Sequence, residues 1–340
     1  MKLSYVRSDA VYKKIMEAPV EKKNDIYRYE LMMPFKGKWD CYQIPMKAAT
    51  PNGYDIIMAS DMLGFISPTK VDQSQKANIE SLSSDRLWVS CEQSIRRSLE
   101  CFLNNGIELP VSEYLFTVLL ANAESPYISL NEGYCGDGGI PGYIMAWLIP
   151  NEFTLTRLPV ALAHEVNHNV RFQFIKWRNS ITLGEMMISE GLAENFATHL
   201  YGEDKAGPWV TKTDMQTLNE YIKPIIHDGL NVQGLENLNA YLYGDEMAAM
   251  QNFPCVGLPY PDFQRLVLLS DFFGLTLDEL VKDIDVQEVR EKNLNSERLN
   301  SIYSDVENAK KIIKWGAIIG GCIAAVLLIV VIVLIFSFVY

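Results

Sequence analysis

The stretch Ala163-His164-Glu165-Val166-Asn167-His168 sets two imidazoles four residues apart with a carboxylate between them. On a helix, His164 and His168 stand one turn apart on one face and can share a metal ion. Glu165 is rotated by about 100° from His164, so it can reach a water at that metal without being a ligand. The bland alternative is a helix that buries one histidine against a core hydrogen bond and exposes the other. The chain has only 4 histidines, so chance placement of two in this pattern is rare. Catalytic zinc takes three protein ligands and keeps one position open. A third ligand is offered by Ser189-Glu190-Gly191-Leu192-Ala193-Glu194, where two carboxylates again stand at i and i+4. Glu190 is the expected ligand and Glu194 the expected acceptor for the free nitrogen of a ligating histidine. The reverse assignment stays open.

These residues need elements to hold them. Thr156 is the expected cap of the helix that carries the histidines, with Pro159 in its first turn. Leu158, Leu162, Val166 and Val170 mark its core side. Arg171, three residues past His168, falls near the metal face, where it orients a ligand carboxylate or a substrate carboxylate or is a solvated surface cation. Thr182 and Glu185 form a capping box that opens the helix of Glu190 and Glu194. His199 falls on the opposite side of that helix, as a structural residue. Upstream, the spacing predicts a helix over 86–103, a central strand over 114–121 and a second strand over 143–149. If that second strand is a sheet edge above the cleft, its free backbone groups can pair with an extended peptide. The Gly-rich run 133–142 lacks a phosphate-loop ending and reads as a set of φ > 0 turns. The apolar runs 29–34 and 54–59, bounded by Gly, Pro and Asn, carry strand-like signals, and 9–17 reads as a short amphipathic helix. Residues 207–261 are rich in Tyr, Asn, Gly and Pro and wall a cleft. His227, Tyr241, Tyr243 and Tyr260 are candidates there to donate to a developing oxyanion, buried structural tyrosines being the commoner case.

At 340 residues with 49% apolar and 21% charged content, the chain is long and apolar enough for a sizeable globular core. A formal net charge of −12 implies no basic surface and argues against a nucleic-acid partner. The 6 cysteines lack CxxC pairs and read as reduced thiols in a cytosolic domain. The amino terminus has no apolar signal-peptide core. Residues 315–340 are uncharged and dense in Ile, Val and Leu, long enough at about 1.5 Å per residue to span a bilayer. Lys310, Lys311 and Lys314 precede that span, which by the positive-inside rule leaves the amino-terminal bulk in the cytoplasm, tail-anchored. Gly316 and Gly320 allow weak helix pairing in the membrane or are incidental small residues. The organisation expected is an amino-terminal region over 1–86, of the same or an accessory domain, and a metallopeptidase-like domain over 87–284. A charged juxtamembrane helix over 285–314 and the transmembrane helix over 315–340 follow.

His164-Glu-Val-Asn-His168-Asn-Val-Arg171, then Leu183-Gly-Glu185, then Ser189-Glu-Gly-Leu-Ala-Glu-Asn-Phe196, resembles a bacterial family of predicted zinc-dependent proteases of otherwise unknown function. The likeness extends back through Gly133–Gly142 and, more weakly, to residues 29–34 and 53–60, covering roughly 25–285. The Glu-Gly-Leu-Ala element is similar to the third-ligand segment of gluzincin peptidases. The resemblance implies an α+β zincin-like fold with a small sheet packed on the active helix. It also implies His164, His168 and Glu190 as zinc ligands, Glu165 as general base, and a peptide or protein substrate. Two other readings compete with a peptidase. One is a catalytically silent zincin-fold scaffold at the membrane; the other is a zinc hydrolase acting on a non-peptide amide or ester.

Overall fold

A computed structural model describes residues 1–178, 180–207, 215–250 and 252–258. The juxtamembrane and membrane-spanning segments read from the sequence lie outside the described residues. Among the described residues, no helix is long and apolar enough to cross a membrane.

Four strands form one sheet: β1 (Lys2–Tyr5), β2 (Glu113–Leu120), β3 (Tyr134–Asp137) and β4 (Tyr143–Leu148), in the spatial order β1-β2-β4-β3. β1 and β4 both run parallel to β2, with Leu115 opposite Tyr143, and β3 runs antiparallel to β4, with Tyr134 opposite Leu148. The sequence of β2, EYLFTVLL, is almost continuously apolar because the strand is buried on both faces, as interior parallel strands are. β4 is buried in the same way, and it lies inside the sheet between β2 and β3. The condition under which 143–149 could pair with a peptide, a place at the sheet edge, is therefore not met. The edge belongs to β3, inside the Gly-rich run, where the four-residue length and three polar or small residues hid a strand from period-2 reading.

Helices α1 (Ser8–Glu17), α2 (Val20–Ile26), α3 (Lys36–Cys41), α4 (Ile56–Met62), α5 (Lys76–Leu82) and α6 (Asp85–Asn104) lie between β1 and β2. The runs 29–34 and 54–59 are helical rather than extended: π and 3₁₀ turns cover Tyr27–Phe35, and α4 is capped by Asp55, which accepts the Ile57 N–H at 2.9 Å. Short apolar runs do not distinguish strand from buried helix, and here a capping aspartate decided it. After β2 come the short α7 (Pro126–Leu130), then β3 and β4, then α8 (Glu152–Phe174) and α9 (Leu183–Tyr201). α8 packs on β3 and β4, on α6 and on α9. One cluster of buried side chains runs from Tyr12, Trp39 and Trp88 through β2 and β4 to Leu162 and Val166 of α8. The apolar face of α8 is thus part of the main core.

Candidate active site

α8 starts earlier than the sequence suggested. Asn151 accepts the Thr154 N–H at 3.0 Å while the Asn151 N–H donates to Thr154 Oγ1 at 3.1 Å, a reciprocal cap. Thr156 lies inside the helix and donates to the Phe153 carbonyl at 2.8 Å, and Pro159 falls two turns in. α9 opens at the expected box: the Glu185 N–H donates to Thr182 Oγ1 at 3.2 Å and the Thr182 N–H to Glu185 Oε2 at 2.9 Å.

These two helices bring the predicted metal-binding side chains together. The Nε2 atoms of His164 and His168 are 3.1 Å apart, and Glu190 Oε2 lies 3.3 Å from each. One donor atom from each of the three residues falls within 4.8 Å of the others. Two imidazoles and a carboxylate form a donor set suited to zinc. The outer ring nitrogens are held as well, which aims the inner ones at the common centre. His164 Nδ1 is 3.2 Å from Glu194 Oε2, and His168 Nδ1 is 3.3 Å from Ser189 Oγ. Glu194 is fixed in turn by the Gly207 N–H, 2.6 Å from its Oε1. Burial works against charge on His164, but Glu190 and Glu194 outweigh it and hold its pKa well above the usual value. Glu190 is likewise buried, yet the two imidazoles hold its carboxyl below the usual range. The residues present fit a divalent cation.

Glu165 points the other way, toward the sheet edge. Its Oε2 accepts the Gly138 N–H at 2.7 Å, and burial raises its pKa against the pull of the two histidines. The edge strand approaches α8 so closely that side chains are excluded. A Cβ on Gly138 would lie 1.9 Å from the Glu165 carbonyl oxygen, and one on Gly136 would lie 2.4 Å from Glu165 Oε1. These two glycines serve close approach, while Gly133 and Gly142 supply the positive-φ turns expected of the run. Asn169, fully buried on α8, secures the rest of the loop. Its Oδ1 accepts the Gly142 N–H at 2.9 Å, and its Nδ2 reaches the carbonyls of Gly138, Ile140 and Tyr143 at 2.8–3.0 Å.

A cleft of about 730 Å³ opens over these groups, with Tyr42, Tyr127, Ile140, Trp177 and Tyr243 in its walls. Of the four oxyanion candidates, Tyr243 lines the cleft, where burial and then the nearby Glu190 raise its pKa. Its ring meets Tyr127 edge to face at 5.9 Å. His227 is exposed on the helix Lys223–Gly229, 3.3 Å from Asp228, and does not line the cleft. Tyr241 packs over Gly229 and against an apolar cluster with Leu183 and Ile226, which Tyr243 also borders, and it does not line the cleft. Helical spacing of two residues turns Tyr241 and Tyr243 to different faces, which explains the split. Tyr260 lies outside the described residues. Arg171 orients none of the ligand carboxylates; it lines a smaller cavity beside the cleft.

Three residues in or behind the wall had no signal in the sequence. Lys38 Nζ, fully buried, lies 2.7 Å from Asp137 Oδ2, and the Tyr42 hydroxyl reaches the two Asp137 oxygens at 3.1 and 3.2 Å. Asp137 Oδ1 also accepts the Gly139 N–H at 2.9 Å. The turn that presents the Gly138 N–H to Glu165 is thus tied to α3 and the segment after it.

No solved structure matches the chain. It is 37% identical over 248 residues to an uncharacterized protein, YjfC, of Bacillus subtilis (strain 168), an alignment covering 73% of this chain and 82% of that one. With a match over residues 87–264 that takes in His164, His168 and Glu190, the chain belongs to the family described as "Predicted Zn-dependent protease (DUF2268)".

Proposed function

We propose that the protein is a membrane-anchored, zinc-dependent peptidase whose catalytic region faces the cytoplasm. The observation that carries the reading is the convergence of His164, His168 and Glu190 on one centre with the Glu165 carboxylate pinned beside it. His164, His168 and Glu190 would hold zinc, with Glu194 orienting His164. Zinc bound there would supply Lewis acidity, polarising a scissile carbonyl and making water acidic enough to lose a proton near neutral pH. Glu165 accepts that proton on the carboxylate and passes it to the leaving amine. The Gly138 N–H keeps Glu165 Oε2 in place for both transfers. Tyr243, which lines the cleft, would donate to the developing oxyanion. The β3 edge lines the cleft, and an extended peptide would add to it as a further strand. The apolar span over 315–340 supports the anchor, and the lysines before it support the orientation.

Metal analysis and peptidase assays on the full-length protein test this. About one zinc per chain is expected. Glu165→Gln should keep that zinc and lower peptide hydrolysis by roughly 10²–10⁴-fold. Membrane fractions should retain the full-length chain but release one ending before Trp315. A folded, zinc-free wild-type protein would overturn the enzyme reading, and unchanged hydrolysis by Glu165→Gln would remove the general base.

A further inference from the structure

The groove between α8 and α9 continues past the metal-ligand cluster toward the loop joining the two helices. One turn beyond His168 on α8 stand Arg171 and Phe172, and one turn before Ser189 and Glu190 on α9 stand Glu185 and Met186. Between the helices here lies a second cavity of about 40 Å³, with Arg171, Lys176, Arg178 and Glu185 in its lining. Phe172, Trp177 and Ser189 line both this cavity and the main cleft, so the two are neighbours across those three side chains. Phe172 and Trp177 meet edge to face at 5.7 Å, and Trp177 is 43% exposed, so the shared wall borders solvent. The volume exceeds the roughly 10–15 Å³ that a single water needs and is on the scale of a carboxylate.

The charge here is opposite to that of the molecule as a whole. Net charge is −12, yet the short stretch from Arg171 to Arg178 carries Arg171, Lys176 and Arg178 and no acid. Glu185 faces the cavity, but its carboxylate is committed: Oε2 accepts the Thr182 N–H and Oε1 pairs with Arg178. Arg171 has no hydrogen-bond or ion-pair partner among the described residues. Burial pulls its pKa down, with the Glu185 charge opposing. Guanidinium stays protonated in proteins, so a half-buried one without a partner is a cost that an anion relieves. A cation in the last turn of α8 also answers the helix dipole. That accounts for a basic residue near this position but not for the cavity around it.

Resting on the peptidase reading, we infer that this cavity is a subsite for a substrate carboxylate, bound by Arg171 with Lys176 beside it. The scale agrees. Arg171 is about 4.5 Å along the α8 axis from His168 at 1.5 Å per residue, and an extended peptide advances about 3.3–3.6 Å per residue. A carboxyl group one residue from the scissile bond therefore reaches it. Two sources fit: the α-carboxylate of a carboxyl-terminal residue, or the side chain of an internal Asp or Glu.

The test is peptide binding by full-length, zinc-loaded Glu165→Gln protein, which binds without turnover. The probes are an acetylated tetra-alanine with a free carboxyl terminus, its carboxyl-terminal amide, and amidated versions with one Glu in each position. The carboxylate-bearing probe should bind at least about tenfold more tightly than the neutral amide, the scale of one charge-assisted pair. Adding Arg171→Met should remove that preference, and Arg171→Lys should restore part of it. Preference for the free acid alone assigns the α-carboxylate, whereas equal preference for a Glu-containing amide assigns the side chain; either supports the subsite. Equal binding of acid and neutral amide overturns it, as does a preference that survives Arg171→Met. Zinc content measured in the same samples separates the two failures. Stoichiometric zinc without carboxylate preference removes only the subsite, and absence of zinc removes the peptidase reading with it.

Discussion

At the scale of single residues, the two carboxylates on α9 have different partners and so should fail differently. Glu190 Oε2 stands 3.3 Å from the inner nitrogens of both histidines, whereas Glu194 Oε2 meets only the outer nitrogen of His164. Glu190→Ala deletes one of three donors and should abolish stoichiometric zinc retention after dialysis. Glu194→Ala leaves three donors but frees the His164 ring, and should weaken zinc by about 10–100-fold, as losses of such supporting carboxylates do. Competition with a chromophoric chelator measures both. Equal losses, or the greater loss at Glu194, would exchange the two roles. The histidines and both glutamates were legible because helical periodicity fixes i and i+4 neighbours without knowledge of the fold. Tyr42 and Asp137 were not, because their meeting depends on how α3 packs against β3, and no local pattern encodes that contact.

At the scale of elements, the site is a layered contact: the β3 edge and its loop against α8, and α8 against α9. The long helices, β2 and the capping box of α9 could be read from the sequence because each is long or has a two-residue chemical signature. The edge strand could not, since four residues of the sequence Tyr-Cys-Gly-Asp have no alternation to detect. Besides its pairing with β4, it is tied to another part of the chain by an ion pair whose lysine is buried. Lys38 is fully buried against Asp137, so Lys38→Met strands a carboxylate in the wall of the cleft. The expected loss is about 3–5 kcal/mol in urea unfolding, the usual result of removing one partner of a buried pair. Lys38→Met with Asp137→Asn should recover part of it, because no uncompensated charge then remains. A double variant no more stable than the single one would mean that packing of the lysine stem, and not the charge, ties α3 to the strand.

At the scale of the molecule, the amino-terminal residues and the layer that carries the candidate site share one core, with Tyr12, Leu31, Trp39 and Ile56 in the same buried cluster as Val118, Ile144 and Val166. Two aspartates, Asp55 buried and Asp137 half-buried, lie in or beside that shared packing, and both bind their protons less readily when folded. Burial alone would raise Asp55, but Arg28 Nη2 at 2.6 Å and the N–H groups of Ile57 and Ala48 outweigh it and hold it below the ordinary 3.8. Burial opposes ionisation of Asp137 as well, and Lys38 overcomes it. An aspartate whose folded pKa is depressed contributes stability that is fully present above its unfolded value. That contribution is lost as pH falls from about 4 through the folded value. Stability from these two groups should therefore be flat near neutrality and fall steeply below about pH 4. Asp55→Asn should be less stable than wild type at pH 7, by about 1.5–3 kcal/mol for a lost charge-assisted bond. The difference should shrink on acidification, because the wild-type carboxylate is then protonated too. Urea midpoints at pH 7 and pH 3 for both proteins give the comparison. A gap that stays constant across that range would show that Asp55 acts through its shape and hydrogen bonds, with its charge contributing nothing.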